Sequence, residues 1–216
     1  MIKEGKHKIF RLDKLPMDLA RGLMLLLIPF YRVKRIYLGD PEKVNALRKS
    51  GVILAANHTG FQDPLIVANT FWKRRVFYVV AEVVMQSKLR AALLRGAGCI
   101  RIDRNITDTK AIKDCVNVLK EGFALTLFPQ GGIKEDESKF KSGIALIASL
   151  AKTPILPMFV IKRKNIFCRQ KVVIGEPFYC SDYCDKKLPS IQDLEMITEK
   201  LFEKYEECKA WALKQD

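Results

Sequence analysis

Six short apolar runs constrain the fold of this chain more than any other feature. They are VILAAN (52–57), VFYVVAE (76–82), CIRID (99–103), FALTLFP (123–129), PILPMFVIK (154–162) and KVVIGEPF (171–178). Each reads as a strand. VILAAN lacks polar alternation and is expected to be buried on both faces, whereas CIRID alternates. Between and around the runs lie stretches that read as helices. These are 41–50 after the turn Gly39-Asp40-Pro41, a segment from Pro64, 86–97, 107–121 through Ile112, Val116 and Leu119, 139–151, and a long charged helix over 190–214. Strands alternating with helices predict an α/β domain with a mainly parallel sheet flanked by helices. Loops at the carboxyl ends of such strands carry function, and His58 and Gln130 both follow a predicted strand.

The chain has 216 residues, which fits one domain with a small appendage, and its formal net charge is +14. That excess points to an anionic partner: nucleic acid, an anionic membrane or a phosphorylated small molecule. The six cysteines are scattered without a disulfide framework and fit reduced thiols. Cys180 and Cys184 form a close pair with no histidine nearby, so no metal site is expected.

Residues 15–38 are apolar and basic, with GLMLLLIPFY (22–31) interrupted by Pro29 and flanked by Arg21, Arg32, Lys34 and Arg35. The apolar run is about half the length a membrane-spanning helix requires. A buried core helix is one reading. The preferred one is an interfacial helix or kinked helix pair that dips into one leaflet, anchored by its basic flanks. The expected organisation is therefore a membrane-interface helical segment over 1–40 and an α/β domain over 41–216.

AANHTGFQDPLIVANT (55–70) holds His58, one of two histidines in the chain, and Asp63 five positions later. On a regular helix that spacing separates two side chains by about 140°. The pair can meet only if His58 lies in the loop and Asp63 at the entry to the next helix, a bend that Gly60 and Pro64 suit. An aspartate holding one imidazole nitrogen leaves the other free to act as a base. A histidine beside a turn is also a common structural residue, so the pair alone does not fix a role. No serine or cysteine stands out as a nucleophile, so a hydroxyl on the substrate is the natural one.

Two further stretches add chemistry. In GCIRIDR (98–104), Arg101 and Asp103 share one strand face and Arg104 follows at the strand end. This is either a solvated edge strand or a phosphate clamp. LFPQGGIKEDESKFKSG (127–143) reads as strand, glycine-rich turn and helix, and its backbone amides could face an anion or a carbonyl oxygen.

In this order, the pieces resemble the glycerolipid acyltransferase family that includes lysophosphatidic acid acyltransferases. NHTGFQD matches its first block, a histidine, four residues and an aspartate. GCIRIDR matches the second, FPQGG with FKSG resembles the third, and TPILPM (153–158) the fourth. The likeness spans roughly residues 50–180. It implies transfer of an acyl group from a thioester, acyl-CoA or acyl-carrier protein, to a lysophospholipid hydroxyl, most naturally that of 1-acylglycerol-3-phosphate. It further implies His58 as general base, Asp63 as its orienting group and Arg104 as a holder of acceptor phosphate. Arg101, Gln130, Gly131, Gly132 and Lys141 fall on the substrate-binding side. The family's α/β fold has N-terminal helices seated in one leaflet, which places the chain peripherally on the cytoplasmic face of the cell membrane. No cofactor is expected, because a thioester is reactive without metal activation. An imidazole, titrating near pH ~6.5 in water, accepts a proton readily at cytoplasmic pH.

The third block departs from the family's usual FPEGTR. Gln130, Gly132 and Ile133 stand where the pattern has glutamate, threonine and arginine. Isoleucine removes a phosphate donor, so either Arg101 compensates or the acceptor is a different lysolipid. The altered block also admits a non-catalytic lipid-binding relative, which the intact His58–Asp63 pair opposes. Nucleic-acid binding, suggested by charge alone, lacks a basic-aromatic stripe and leaves the apolar N-terminal segment unexplained.

Overall fold

The computed structural model describes residues 15–26, 32–58, 60–131, 140–163, 165, 168–186 and 188–214. Seven strands form one sheet: β1 (Lys34–Tyr37), β2 (Val52–Ala56), β3 (Val76–Ala81), β4 (Cys99–Ile102), β5 (Ala124–Leu127), β6 (Ile155–Val160) and β7 (Lys171–Ile174). Their order across the sheet is β1-β7-β6-β2-β5-β3-β4. Five neighbouring strands, from β6 to β4, run parallel. The β6–β7 pair is antiparallel and β1 is parallel to β7, so β1 and β7 run against the rest. The expected mainly parallel α/β sheet is present.

Around it lie α1 (Leu15–Leu25), α2 (Pro41–Ala46), α3 (Asp63–Thr70), α4 (Lys88–Gly96), α5 (Thr109–Lys120), α6 (Gly143–Ala151) and α7 (Ile191–Leu213). Local chemistry starts several of them. The Asp40 carboxylate accepts the Glu42 amide at the start of α2, and Asp108 accepts the Ala111 amide at the start of α5. Ser190 and Asp193 form a reciprocal capping box on α7.

β2 shows why its run carries no polar residue. Ile53 and Ala55 join a core cluster with Leu119, Ile144, Ala148, Ile197 and Leu201, on the face covered by α5, α6 and α7. Val52, Leu54 and Ala56 join a second cluster with Val44, Ile66 and Val67, under α2 and α3. A strand buried on both faces has nowhere to place a polar side chain.

The N-terminal expectation is corrected in part. Residues 15–25 are helical, but 34–37 form β1 at one sheet edge, paired in register with β7. The α/β unit therefore begins before residue 41. The alternation Lys34, Ile36 against Arg35, Tyr37 was hidden by the basic residues, which read as helix flanks. Residues 27–31, the middle of the expected interfacial segment, lie outside the described residues. KVVIGEPF is likewise shorter as a strand: β7 ends at Ile174, and Phe178 forms a separate bridge to Ile155.

Candidate active site

β2 delivers His58 to the carboxyl edge of the sheet. Asn57, immediately before it, extends the β2–β6 ladder with its side chain: Nδ2 donates to the Val160 carbonyl at 3.1 Å, and Oδ1 accepts the Val160 amide at 2.7 Å. The chain then turns, and Asp63 opens α3. His58 Nδ1 lies 3.1 Å from Asp63 Oδ2, which also accepts the Gly60 amide at 2.8 Å. The bend inferred from the spacing is therefore present. Asp63 is buried, whereas His58 is half-buried with its ring on a cavity wall. The second acceptor contact, from Gly60, fixes the carboxylate rather than leaving it to rotate. With Nδ1–H committed to Asp63, Nε2 carries the free lone pair.

Two side chains from β5 and its loop hold the histidine. Phe128 stacks on the imidazole, with ring centroids 4.2 Å apart. Gln130, 3% exposed, accepts the His58 amide at Oε1 (3.2 Å) and donates from Nε2 to the Tyr205 hydroxyl of α7 (3.3 Å). Gln130 was expected to face substrate; it supports the His58 loop from behind instead. Gly131 turns the chain at φ 94°, and its amide donates to the Phe128 carbonyl at 2.9 Å. That amide is committed to the turn, which corrects the expectation of an anion-facing group there. Gly132 and Ile133 lie outside the described residues.

The cavity beside His58 has a volume of about 640 Å³. Arg104, Gly131 and Lys141 also line it, so three of the expected substrate-binding residues share one cavity with the expected base. Beyond them the wall is apolar. It follows β3 through Val76, Tyr78 and Val80, with Leu65 and Ala68 of α3, Leu94 of α4, and Met17 and Ala20 of α1. Cys99 also lines it, but burial pushes its thiol up to about 11, so it is protonated and a poor nucleophile at neutral pH.

Arg101 is not brought to this cavity. Its guanidinium pairs with Glu82 at 2.6 Å, and it lines a separate polar cavity with Asp108 and Lys110. The amides of Ala111 and Asp103, followed by the nearby Arg101 charge, hold the Asp108 carboxyl below its usual range. Arg101 serves this outer network, held there by its pairing with Glu82.

The site residues missed in the sequence are Asn57, Phe128 and Tyr205. Asn57 had a signal, a lone polar residue closing an apolar strand. Tyr205 had none, since its contact depends on how α7 crosses the sheet.

Two features bear on lipid contact. Asp18 of α1 takes both Arg75 Nε (2.9 Å) and an Arg75 terminal nitrogen (2.7 Å), tying α1 over the cavity. Leu19 and Leu23, 67% and 69% exposed, point outward from the same helix. Among the described residues, no helix is long and apolar enough to cross a membrane.

The Acyltransferase family profile matches residues 35–161. The chain is 27% identical over 171 residues to a 1-acyl-sn-glycerol-3-phosphate acyltransferase of Bacillus subtilis, covering 77% of this chain and 85% of that one. It is 26% identical over 209 residues to the protein of the same name from Streptococcus pneumoniae, covering 92% and 76%. Its fold is similar to the crystal structure of the 1-acyl-sn-glycerophosphate (LPA) acyltransferase PlsC from Thermotoga maritima. That match has a TM-score of 0.59 at 17% identity and covers 90% of this chain and 80% of that one. With the profile matching more than half of its length, the chain belongs to the Acyltransferase family, as an O-acyltransferase.

Proposed function

We propose that this acyltransferase moves a fatty acyl group from a thioester to the free hydroxyl of 1-acylglycerol-3-phosphate. The observation that carries the reading is the His58–Asp63 contact of 3.1 Å, with His58 on the wall of a mostly apolar cavity that Arg104 and Lys141 also line.

His58 Nε2 takes the proton from the acceptor hydroxyl as its oxygen bonds to the thioester carbonyl carbon. Asp63 retains Nδ1–H and stabilises the imidazolium that forms. The tetrahedral intermediate collapses with cleavage of the C–S bond. The departing thiolate takes the proton from His58, which returns the site to its starting state. Arg104 and Lys141 attract the acceptor's phosphate and hold its hydroxyl beside Nε2. The apolar wall along β3, roughly 20 Å for six strand residues, seats an acyl chain.

Outward-facing Leu19 and Leu23 of α1, with Leu89 and Leu93 of α4, form an exposed apolar surface beside that wall. Such a surface on neighbouring helices suits a seat in one leaflet, from which both lipids enter without crossing water. The membrane's anionic cytoplasmic face fits the net charge of +14.

The test is thiol release from a long-chain acyl-CoA and from an acylated carrier protein, with and without lysophosphatidic acid, in detergent. Acceptor-dependent release that disappears in His58→Ala is expected. Release with other lysolipids but not with lysophosphatidic acid would overturn the acceptor, and binding of lipid without release would favour a non-catalytic relative.

A further inference from the structure

The antiparallel turn at β7 has a consequence for charge. Because β1 and β7 run against the other five strands, their starting ends lie at the sheet edge where β2 and β6 finish. Three basic segments meet there. Arg32 and Lys34 enter β1, Lys162 and Arg163 leave β6, and Arg169 and Lys171 enter β7. Lys34 and Lys171 are register partners, and the Ile161 amide donates to the Lys171 carbonyl at 3.1 Å. Neither 31–39 nor 161–175 contains an aspartate or glutamate.

The rim is set on a fixed backbone. Gln170, 2% exposed, donates from Nε2 to the carbonyls of Ile161 (2.6 Å) and Lys171 (3.1 Å), and its own carbonyl accepts the Lys34 amide at 2.7 Å. The rim is also coupled to the active site, since Val160, two residues before Lys162, is the partner of Asn57, which precedes His58. Three strand spacings, roughly 14 Å, separate the strand of His58 from β1.

We propose that this rim docks the protein form of the acyl donor: an acidic carrier protein that presents its thioester on a pantetheine arm to His58. The proposal rests on the thioester reading of the site above. An extended row of cations across three strand ends matches an acidic helix face better than the compact phosphates of a nucleotide. A membrane is the poorer match, because the large apolar side chains exposed among the described residues fall outside these three segments, many of them on α1 and α4. Opposite charge spread over such a rim steers encounter and orients the partner.

The experiment measures binding of unacylated holo-acyl-carrier protein to the full chain in detergent, at low and moderate salt. Wild type is compared with the triple variant Lys34→Glu, Lys162→Glu, Arg169→Glu. Wild type is expected to bind more weakly as salt rises, and the variant to bind about tenfold more weakly or worse at low salt. The variant's kcat/KM with acyl-CoA and lysophosphatidic acid is expected to change by less than about twofold. Absence of carrier binding by wild type, or equal binding by the variant, overturns the proposal. So does equal loss of turnover with both donors, or loss of binding to phosphatidylglycerol-containing vesicles with carrier binding intact. If the triple variant does not fold, the three single serine variants replace it, each expected to weaken carrier binding. If no thioester supports turnover while carrier binding still depends on the rim, the activity reading fails and the docking surface stands.

Discussion

Gln130 joins His58 to Tyr205: its Oε1 accepts the histidine amide at 3.2 Å, and its Nε2 donates to the tyrosine hydroxyl at 3.3 Å. The contact spans 75 residues between the glutamine and the tyrosine. It anchors the His58 loop to α7 inside the core, where Tyr205 is fully buried. A glutamine suits the place because it can accept from one neighbour and donate to the other. Gln130→Leu leaves the histidine amide and the tyrosine hydroxyl without this partner and is expected to cost about 1–3 kcal/mol of stability. Gln130→Glu can accept from both neighbours and is expected to retain turnover. Thermal unfolding and steady-state kinetics check the pair, and a wild-type melting point for Gln130→Leu would remove the anchoring role.

The proposed base, His58, and its proposed orienting group, Asp63, are expected to differ in how they fail. His58→Ala should lower kcat by about 10²–10⁴ with folding intact. Asp63→Asn offers the imidazole an amide in place of a carboxylate. It favours the tautomer with the proton on the wrong nitrogen, so kcat should fall with little change in KM. A rise in KM alone for Asp63→Asn would mean that the carboxylate binds substrate instead.

The Asp18–Arg75 pair is a two-pronged contact between α1 and the turn before β3. Asp18→Ala should loosen the helix that covers the apolar wall. The expected result is a higher KM for the long-chain donor, a smaller effect on a short-chain donor, and greater protease cleavage near α1. Equal effects on both donors would place the role of the pair in general stability.

Gly131 holds φ 94°, a conformation open to glycine and strained for other residues. Gly131→Ala should cost about 1–2 kcal/mol and shift the loop that carries Gln130. Both unfolding free energy and kcat should fall. An unchanged kcat with lowered stability would show that the turn's geometry is not transmitted to His58.

Thiol chemistry should follow burial. Burial pushes the thiols of Cys99 and Cys180 up to about 11 and those of Cys115 and Cys208 up to about 12. Cys168 is exposed. Iodoacetamide at neutral pH should therefore label Cys168 well before these four, since the thiolate is the reacting form. Raising pH toward those values should increase their labelling in the folded protein. Mass spectrometry of digests gives the order, and early labelling of Cys99 would show that the cavity opens to water.

The alternation of apolar runs with helical periodicity was sufficient to reveal the parallel sheet, because a strand covered on both faces must be apolar along its whole length. The spacing of His58 and Asp63, with Gly60 and Pro64 between and after them, likewise showed that the two could meet only across a loop-to-helix bend. Arg104, Gly131 and Lys141 were picked out by the resemblance to the family's blocks, and all three line the His58 cavity. β1 was not legible, because its four residues read as the flank of an apolar helix and become a strand only when β7 is present to pair with them. Arg101 and Gln130 were visible as polar residues near the motifs, but not which way they face. That was decided by Glu82 beside Arg101 and by α7 passing behind Gln130. The basic rim is likewise a product of strand direction: β7 turns back against β6, which sets 169–171 beside 162–163, and β1, far earlier in the chain, pairs alongside β7. Short-range pattern determined which residues are strand, helix and candidate base, since these depend on neighbours along the chain. Partners, facing and surface charge were decided by tertiary structure, since they depend on contacts that no local pattern encodes.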